Sequence, residues 1–156
     1  MAANVLFFLR PKIKVAYVYS HNTLRQALEK MKAHGYTSIP VLDNEGRYVG
    51  SVTEGDFLWK LTAEHALNSK AQERFCIKDI MRSDFQPPVN INAALDDLLL
   101  MAMNQNFVPV VDDLDSFIGI VTRRDLMQHY YNQAHDENYK PEPFTLQGGG
   151  TKAQPI

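Results

Sequence analysis

The sequence predicts an α/β protein made of two βαββα repeats packed in pseudo-twofold symmetry. Three observations lead there. Ile39-Pro40-Val41-Leu42-Asp43 and Val108-Pro109-Val110-Val111-Asp112 read alike. Ten residues after each proline, a glycine opens Gly50-Ser51-Val52-Thr53-Glu54-Gly55-Asp56 and Gly119-Ile120-Val121-Thr122-Arg123-Arg124-Asp125. The pairs Pro40/Pro109, Gly50/Gly119, Thr53/Thr122 and Asp56/Asp125 are all 69 positions apart, and one offset held at four places is the mark of an internal repeat.

The elements follow in order. Short extended runs, Val15 to Tyr19 and Val89 to Ile91, precede two amphipathic stripes: Leu24, Ala27, Leu28, Met31 and Leu95, Leu98, Leu99, Ala102, each at i, i+3, i+4, i+7. Tyr36 to Leu42 and Arg47 to Val52 read as a strand pair around a turn at Asp43-Asn44-Glu45-Gly46. Phe107 to Val111 and Phe117 to Val121 repeat it around Asp112 to Ser116. A helix starts after each threonine, near Thr53 and Thr122. This divides the chain into a first repeat at 5–63, a linker at 64–76, a second repeat at 77–132 and a flexible tail at 133–156. The polar linker is expected to extend the first repeat's last helix. The tail rests on Pro141, Pro143 and Gly148-Gly149-Gly150. One repeat is too short for a good core; two paired repeats bury both sheets and leave a cleft on their axis.

Composition removes several function classes. A formal net charge of −2 gives no overall attraction to nucleic acid or anionic lipid. The single cysteine, Cys76, forbids an internal disulfide and fits a reducing compartment. Val5-Leu6-Phe7-Phe8-Leu9 is too short to span a bilayer and lacks the flanks of a signal peptide, so the cytoplasm is the expected location. His21, His34, His65, His129 and His135 show no metal-ligand spacing, and no phosphate-binding Gly-x-x-x-x-Gly-Lys-Ser/Thr loop occurs. Cys76 lacks a histidine partner, and no nucleophile is paired with a base; an enzyme is not expected, and neither is a metal or a cofactor. Asp96-Asp97 and Asp112-Asp113 read as a helix first turn and a loop turn. Trp59, Tyr130 and Tyr131 are expected to pack helices; exposed, they would instead mark a dimer contact.

The two Thr-x-x-Asp segments admit two compatible readings. Thr-x-x-acid at a strand-to-helix junction is a capping box, in which the threonine oxygen accepts an amide and the acid reaches back. The same helix start also offers amides to an anion, with threonine and aspartate beside it for ribose hydroxyls. Glycine before it lets a ligand approach the backbone.

Both segments resemble the Gly-h-x-Thr-x-x-Asp signature of cystathionine β-synthase (CBS) domains, whose tandem pairs form Bateman modules. Ile77-Lys78-Asp79-Ile80-Met81 resembles the lead-in helix of such repeats, with Phe8-Leu9-Arg10-Pro11 as a degenerate counterpart. The resemblance spans about residues 5 to 130. It implies a regulatory adenine-nucleotide site, the aspartate on the ribose and the threonine near sugar or phosphate. One cleft would join Thr122, Arg123, Arg124 and Asp125 to Val15, Ala16, Tyr36, Thr37, Ser38 and Pro40. The second would join Thr53 and Asp56 to Pro88, Val89, Phe107 and Val108. Arg123 and Arg124 suit phosphate, whereas Glu54 opposes it and Pro87-Pro88 removes two amide donors. The first cleft is therefore the expected site and the second the weaker one.

Lys14-Val15-Ala16, Gly35-Tyr36-Thr37-Ser38-Ile39-Pro40 and Thr122-Arg123-Arg124 resemble small stand-alone CBS proteins that bind cyclic di-AMP and dock on a target protein. Retention of Asp56 and Asp125 follows the pattern of AMP, ADP and ATP binders. Both ligand classes stay open, as does a structural dimerisation adaptor that needs no ligand. The resemblance further implies a homodimer acting in trans on a protein target.

Overall fold

The computed structural model describes residues 4–65, 68–82 and 86–141. In chain order the elements are α1 (Val5–Phe8), β1 (Arg10–Pro11), a 3-10 turn (Lys12–Lys14), β2 (Val18–Tyr19), α2 (Leu24–His34), β3 (Ser38–Leu42), β4 (Tyr48–Thr53), α3 (Glu54–Ala63) and α4 (Ser69–Gln72). A 3-10 turn (Ile77–Asp79), β5 (Val89–Asn90), α5 (Leu95–Ala102), β6 (Phe107–Val111), β7 (Phe117–Thr122) and α6 (Arg123–His135) follow. The mixed α/β content and the two β-α-β-β-α repeats agree with the sequence. Among the described residues no helix is long and apolar enough to cross a membrane.

The chain divides into two units, and each lead-in joins the repeat it does not precede. Unit 1 takes residues 4–15 with 88–141; unit 2 begins at Ala16 and runs to Pro87. In unit 2 the sheet order is β2-β3-β4, with β2 parallel and β4 antiparallel to β3. In unit 1 the same pattern, β5-β6-β7, gains β1 as an antiparallel edge on β7. The central strands Ser38–Leu42 and Phe107–Val111 are buried throughout, as expected of apolar runs covered on both faces.

The cores repeat the pattern. In unit 2, Val18, Leu24, Ala27, Met31, Val41, Val52, Phe57 and Leu61 pack with Ile77 and Ile80 of the lead-in. In unit 1, Val89, Leu98, Ala102, Val110, Val121 and Leu126 pack with Val5 and Phe8. Val5/Ile77, Phe8/Ile80, Leu9/Met81 and Arg10/Arg82 are all 72 positions apart, so the lead-ins are themselves a repeat. Phe8-Leu9-Arg10-Pro11, expected as a degenerate lead-in helix, instead holds only the end of α1 before the chain extends into β1.

Local chemistry accounts for the joints. Thr23 and Gln26 close a capping box on α2, and Gly35 ends it in the left-handed region. Asp43 Oδ1 accepts the Glu45 and Arg47 amides; Asp112 Oδ1 accepts those of Leu114 and Ser116. These side chains fix both hairpin turns. Three expectations are corrected. The linker does not extend α3, which stops at Ala63; His65 sits at positive φ and α4 starts afresh after Asn68. Helix α6 runs to His135, three residues into the expected tail, and residues 142–156 of that tail lie outside the described residues. Trp59 and Tyr131 are exposed, at 71% and 60%, rather than packed between helices.

Candidate functional site

The two helix starts share a backbone. Glu54 N donates to Thr37 O at 3.0 Å, and Arg123 N donates to Asn106 O at 2.9 Å. Thr53 and Thr122 are the N-caps, each accepting the amide of the aspartate three residues on.

The carboxylates then part company. Asp56 completes its capping box: Oδ2 accepts Thr53 N at 2.8 Å and Thr53 Oγ1 at 3.1 Å. Its Oδ1 faces Arg82 Nε at 2.9 Å. Asp125 does not reach back. Its Oδ2 and Oδ1 accept Arg10 Nε at 2.6 Å and Nη2 at 2.7 Å, a two-pronged guanidinium–carboxylate pair. Burial is inverted between the pairs. Asp56 is 7% and Arg82 54% exposed at the side chain, against 31% for Asp125 and 10% for Arg10.

The backbone behind each pair explains the glycines. Arg10 and Pro11 pair with Ile120 and Gly119. A Cβ on Gly119 would lie 2.1 Å from Arg10 O, and the residue sits at φ +156. At Gly50, φ +151, the Cβ would meet Met81 Cε at 2.6 Å, the flexible end of a side chain.

The residues assigned to each cleft divide between the units. Unit 1 holds Val15, Thr122, Arg123, Arg124 and Asp125 of the first, with Val89, Phe107 and Val108 of the second. Unit 2 holds Ala16, Tyr36, Thr37, Ser38 and Pro40 of the first, with Thr53 and Asp56 of the second. Within unit 1, Thr122 is buried and Arg124 exposed, and the Arg123 guanidinium bonds Asn106 Oδ1. Within unit 2, the Tyr36 hydroxyl accepts Ala16 N at 3.3 Å, and the buried Ser38 Oγ has no partner among the described residues. Sequence reasoning missed Arg10 and Arg82 as carboxylate partners. The signal was available, since each directly follows the lead-in residue that packs on a motif glycine.

No group of three or more His, Cys, Asp or Glu among the described residues is arranged to hold a metal ion. A βαββα pair with a capped Thr-x-x-Asp at both second-helix starts defines a tandem CBS arrangement, and the CBS domain family model matches residues 9–63 and 77–132. The chain belongs to the CBS-domain family, as a Bateman-type tandem. Cyclic di-AMP receptor B of Bacillus subtilis (strain 168) is 31% identical over 124 residues, covering 80% of this chain and 84% of the relative. The crystal structure of CbpB in complex with c-di-AMP superposes with TM-score 0.76 at 22% identity, over 86% of this chain and 88% of that one. CBSX2 in complex with AMP gives TM-score 0.68 at 24% identity, over 86% and 100%. These two structures share the fold.

Proposed function

We propose that this protein is a regulatory adenine-nucleotide sensor, without catalytic activity, whose preferred site is built on the start of α6. One observation carries the reading. There a partly exposed carboxylate paired with Arg10, an exposed Arg124 and an Arg123 held by Asn106 adjoin a capped helix N-terminus, whereas at the start of α3 the carboxylate is buried and Glu54 takes Arg123's place. The positive end of the helix dipole and the Arg124 guanidinium together favour a phosphate. The likeness to a cyclic di-AMP receptor and to an AMP-bound CBS protein supports an adenine ligand. Val15, Ala16, Tyr36, Thr37, Ser38 and Pro40 are the further residues we assign to ligand contact, and Ser38 Oγ is buried with no partner among the described residues. Thr53, Asp56, Val89, Phe107 and Val108 form the proposed weaker site. Output passes in trans to a protein target in the cytoplasm.

Thermal unfolding with AMP, ATP and cyclic di-AMP tests this. A ligand at about 100 times its Kd adds about 2.7 kcal/mol of stability. Arg124→Ala should remove that gain and Asp56→Ala retain most of it. Absence of a gain with all three, in protein stripped of nucleotide, refutes the sensor.

A homodimer, with or without ligand, has its own observation. Leu99, Met103, Met127 and Tyr130 line a largely apolar pocket of about 260 Å³ on unit 1, with Leu100 and Tyr131 also exposed. Sedimentation of the free protein should give a dimer that Met103→Asp with Met127→Asp converts to monomer.

A further inference from the structure

The methionines among the described residues are not placed alike. Met31 is buried, and Met81 and Met101 pack on the cores of units 2 and 1. Met103 and Met127 are exposed at 72% and 67%, and both line the pocket of about 260 Å³ on α5 and α6. Two sulfurs, one from α6 and one from the end of α5, thus meet at one apolar site. Unit 2 has none there. By the 71-residue offset of Leu24 to Leu95 and the 69-residue offset of Thr53 to Thr122, the matching residues are Lys32 and Leu58. The face is also self-complementary in charge. Arg123, held by Asn106, is the cation in the pocket lining, while Asp96 and Asp97 stand on the first turn of α5, one turn before the exposed Leu100. A second copy of this chain can therefore seat an apolar side chain in the pocket and a carboxylate beside Arg123.

Resting on the homodimer proposed above, we propose that Met103 and Met127 are a modification site through which an oxidant controls that interface. The reagent is a peroxide. The thioether lone pair attacks it and forms the S–O bond, the O–O bond breaks, and water leaves as the peroxide is reduced. The sulfoxide so formed is polar where the thioether was not. Covering it with a second copy strips water from its oxygen, a cost that methionine does not carry. An isologous pairing brings together both sulfurs of each copy, so the cost is multiplied. In the dimer the sulfurs are covered; oxidation therefore acts on the free protomer and holds it there by mass action.

Sedimentation of the full chain before and after mild hydrogen peroxide, with peptide mass spectrometry, tests the switch. Met103 and Met127 should gain oxygen before Met31 and Met101, and the dimer Kd should rise about tenfold or more. Methionine sulfoxide reductase with a dithiol should return both sulfurs and restore the original Kd. In Met103→Leu with Met127→Leu, the oxidised and untreated Kd values should agree within about threefold, whatever the starting value. Wild-type protein oxidised at both sulfurs with a Kd changed less than about threefold overturns the switch and leaves the homodimer intact. Oxidation of Met31 and Met101 as fast as Met103 and Met127 does the same. Untreated protein that stays monomeric overturns the homodimer and the switch together.

Discussion

The starts of α3 and α6 carry one motif in two electrostatic settings. At α3 the acid serves its own helix: Asp56 returns to Thr53 and finishes the cap, while an exposed arginine touches its far oxygen. At α6 the acid serves a distant strand: Asp125 leaves the cap half made and holds a buried arginine 115 positions away. The threonine and the amide it accepts are the same at both. A short-range motif thus fixes the cap, but only the partner from elsewhere in the chain decides what the carboxylate is for.

The contrast can be broken most sharply at the glycines. Gly50 and Gly119 share nearly the same φ, so an added Cβ suffers similar backbone strain at both. They differ in the obstacle, a methionine tip against a strand carbonyl. Gly119→Ala should therefore cost ~2–3 kcal/mol more than Gly50→Ala in chemical denaturation. Equal costs would mean that β1 yields easily.

The aspartates come next. Asp125→Ala strands the buried Arg10 and should cost about 3 kcal/mol, the low end for a broken buried pair because the carboxylate is partly exposed. Asp56→Ala loses a cap and a solvent-facing arginine, about 1–2 kcal/mol. Reversal of that order would remove the distinction between the two settings.

A smaller effect separates the hairpins. Tyr48 stands where unit 1 has Phe117; its buried hydroxyl meets Ser51 Oγ at 2.8 Å and donates to Gln86 O at 2.7 Å. Tyr48→Phe should cost about 1–2 kcal/mol by orphaning those groups. Burial pushes the Tyr48 hydroxyl pKa up, so the folded state favours the neutral form. Its contribution is complete below the ordinary tyrosine pKa of about 10 and is lost as pH rises beyond it. Denaturation at about pH 8 and about pH 10.5 should show an alkaline loss in the wild type that Tyr48→Phe diminishes.

Much of the fold was legible because its signals are local. The two Asp-led turns and the Thr caps each depend on residues within about four positions, and the repeat shows as one 69-residue spacing. The misread elements fail for stated reasons. Trp59 lies two residues, about 200° of helix, from the buried Phe57, and Tyr131 stands likewise to His129. Aromatic character suggested packing where the helical face pointed outward. The polar composition of the linker suits a helix but does not reveal where a helix stops; His65 at positive φ marks the break after Ala63.

By itself the sequence determined two βαββα repeats, their turns and caps, and an asymmetry of charge at the second helix starts. Those features are written in neighbouring residues and in one repeated spacing. Only the tertiary structure decided that the lead-ins exchange repeats, that Arg10 closes on Asp125, and that Gly119 must be bare to let it. The reason is range: a guanidinium finds a carboxylate more than a hundred residues away only after β1 has paired with β7, and no local pattern encodes that pairing.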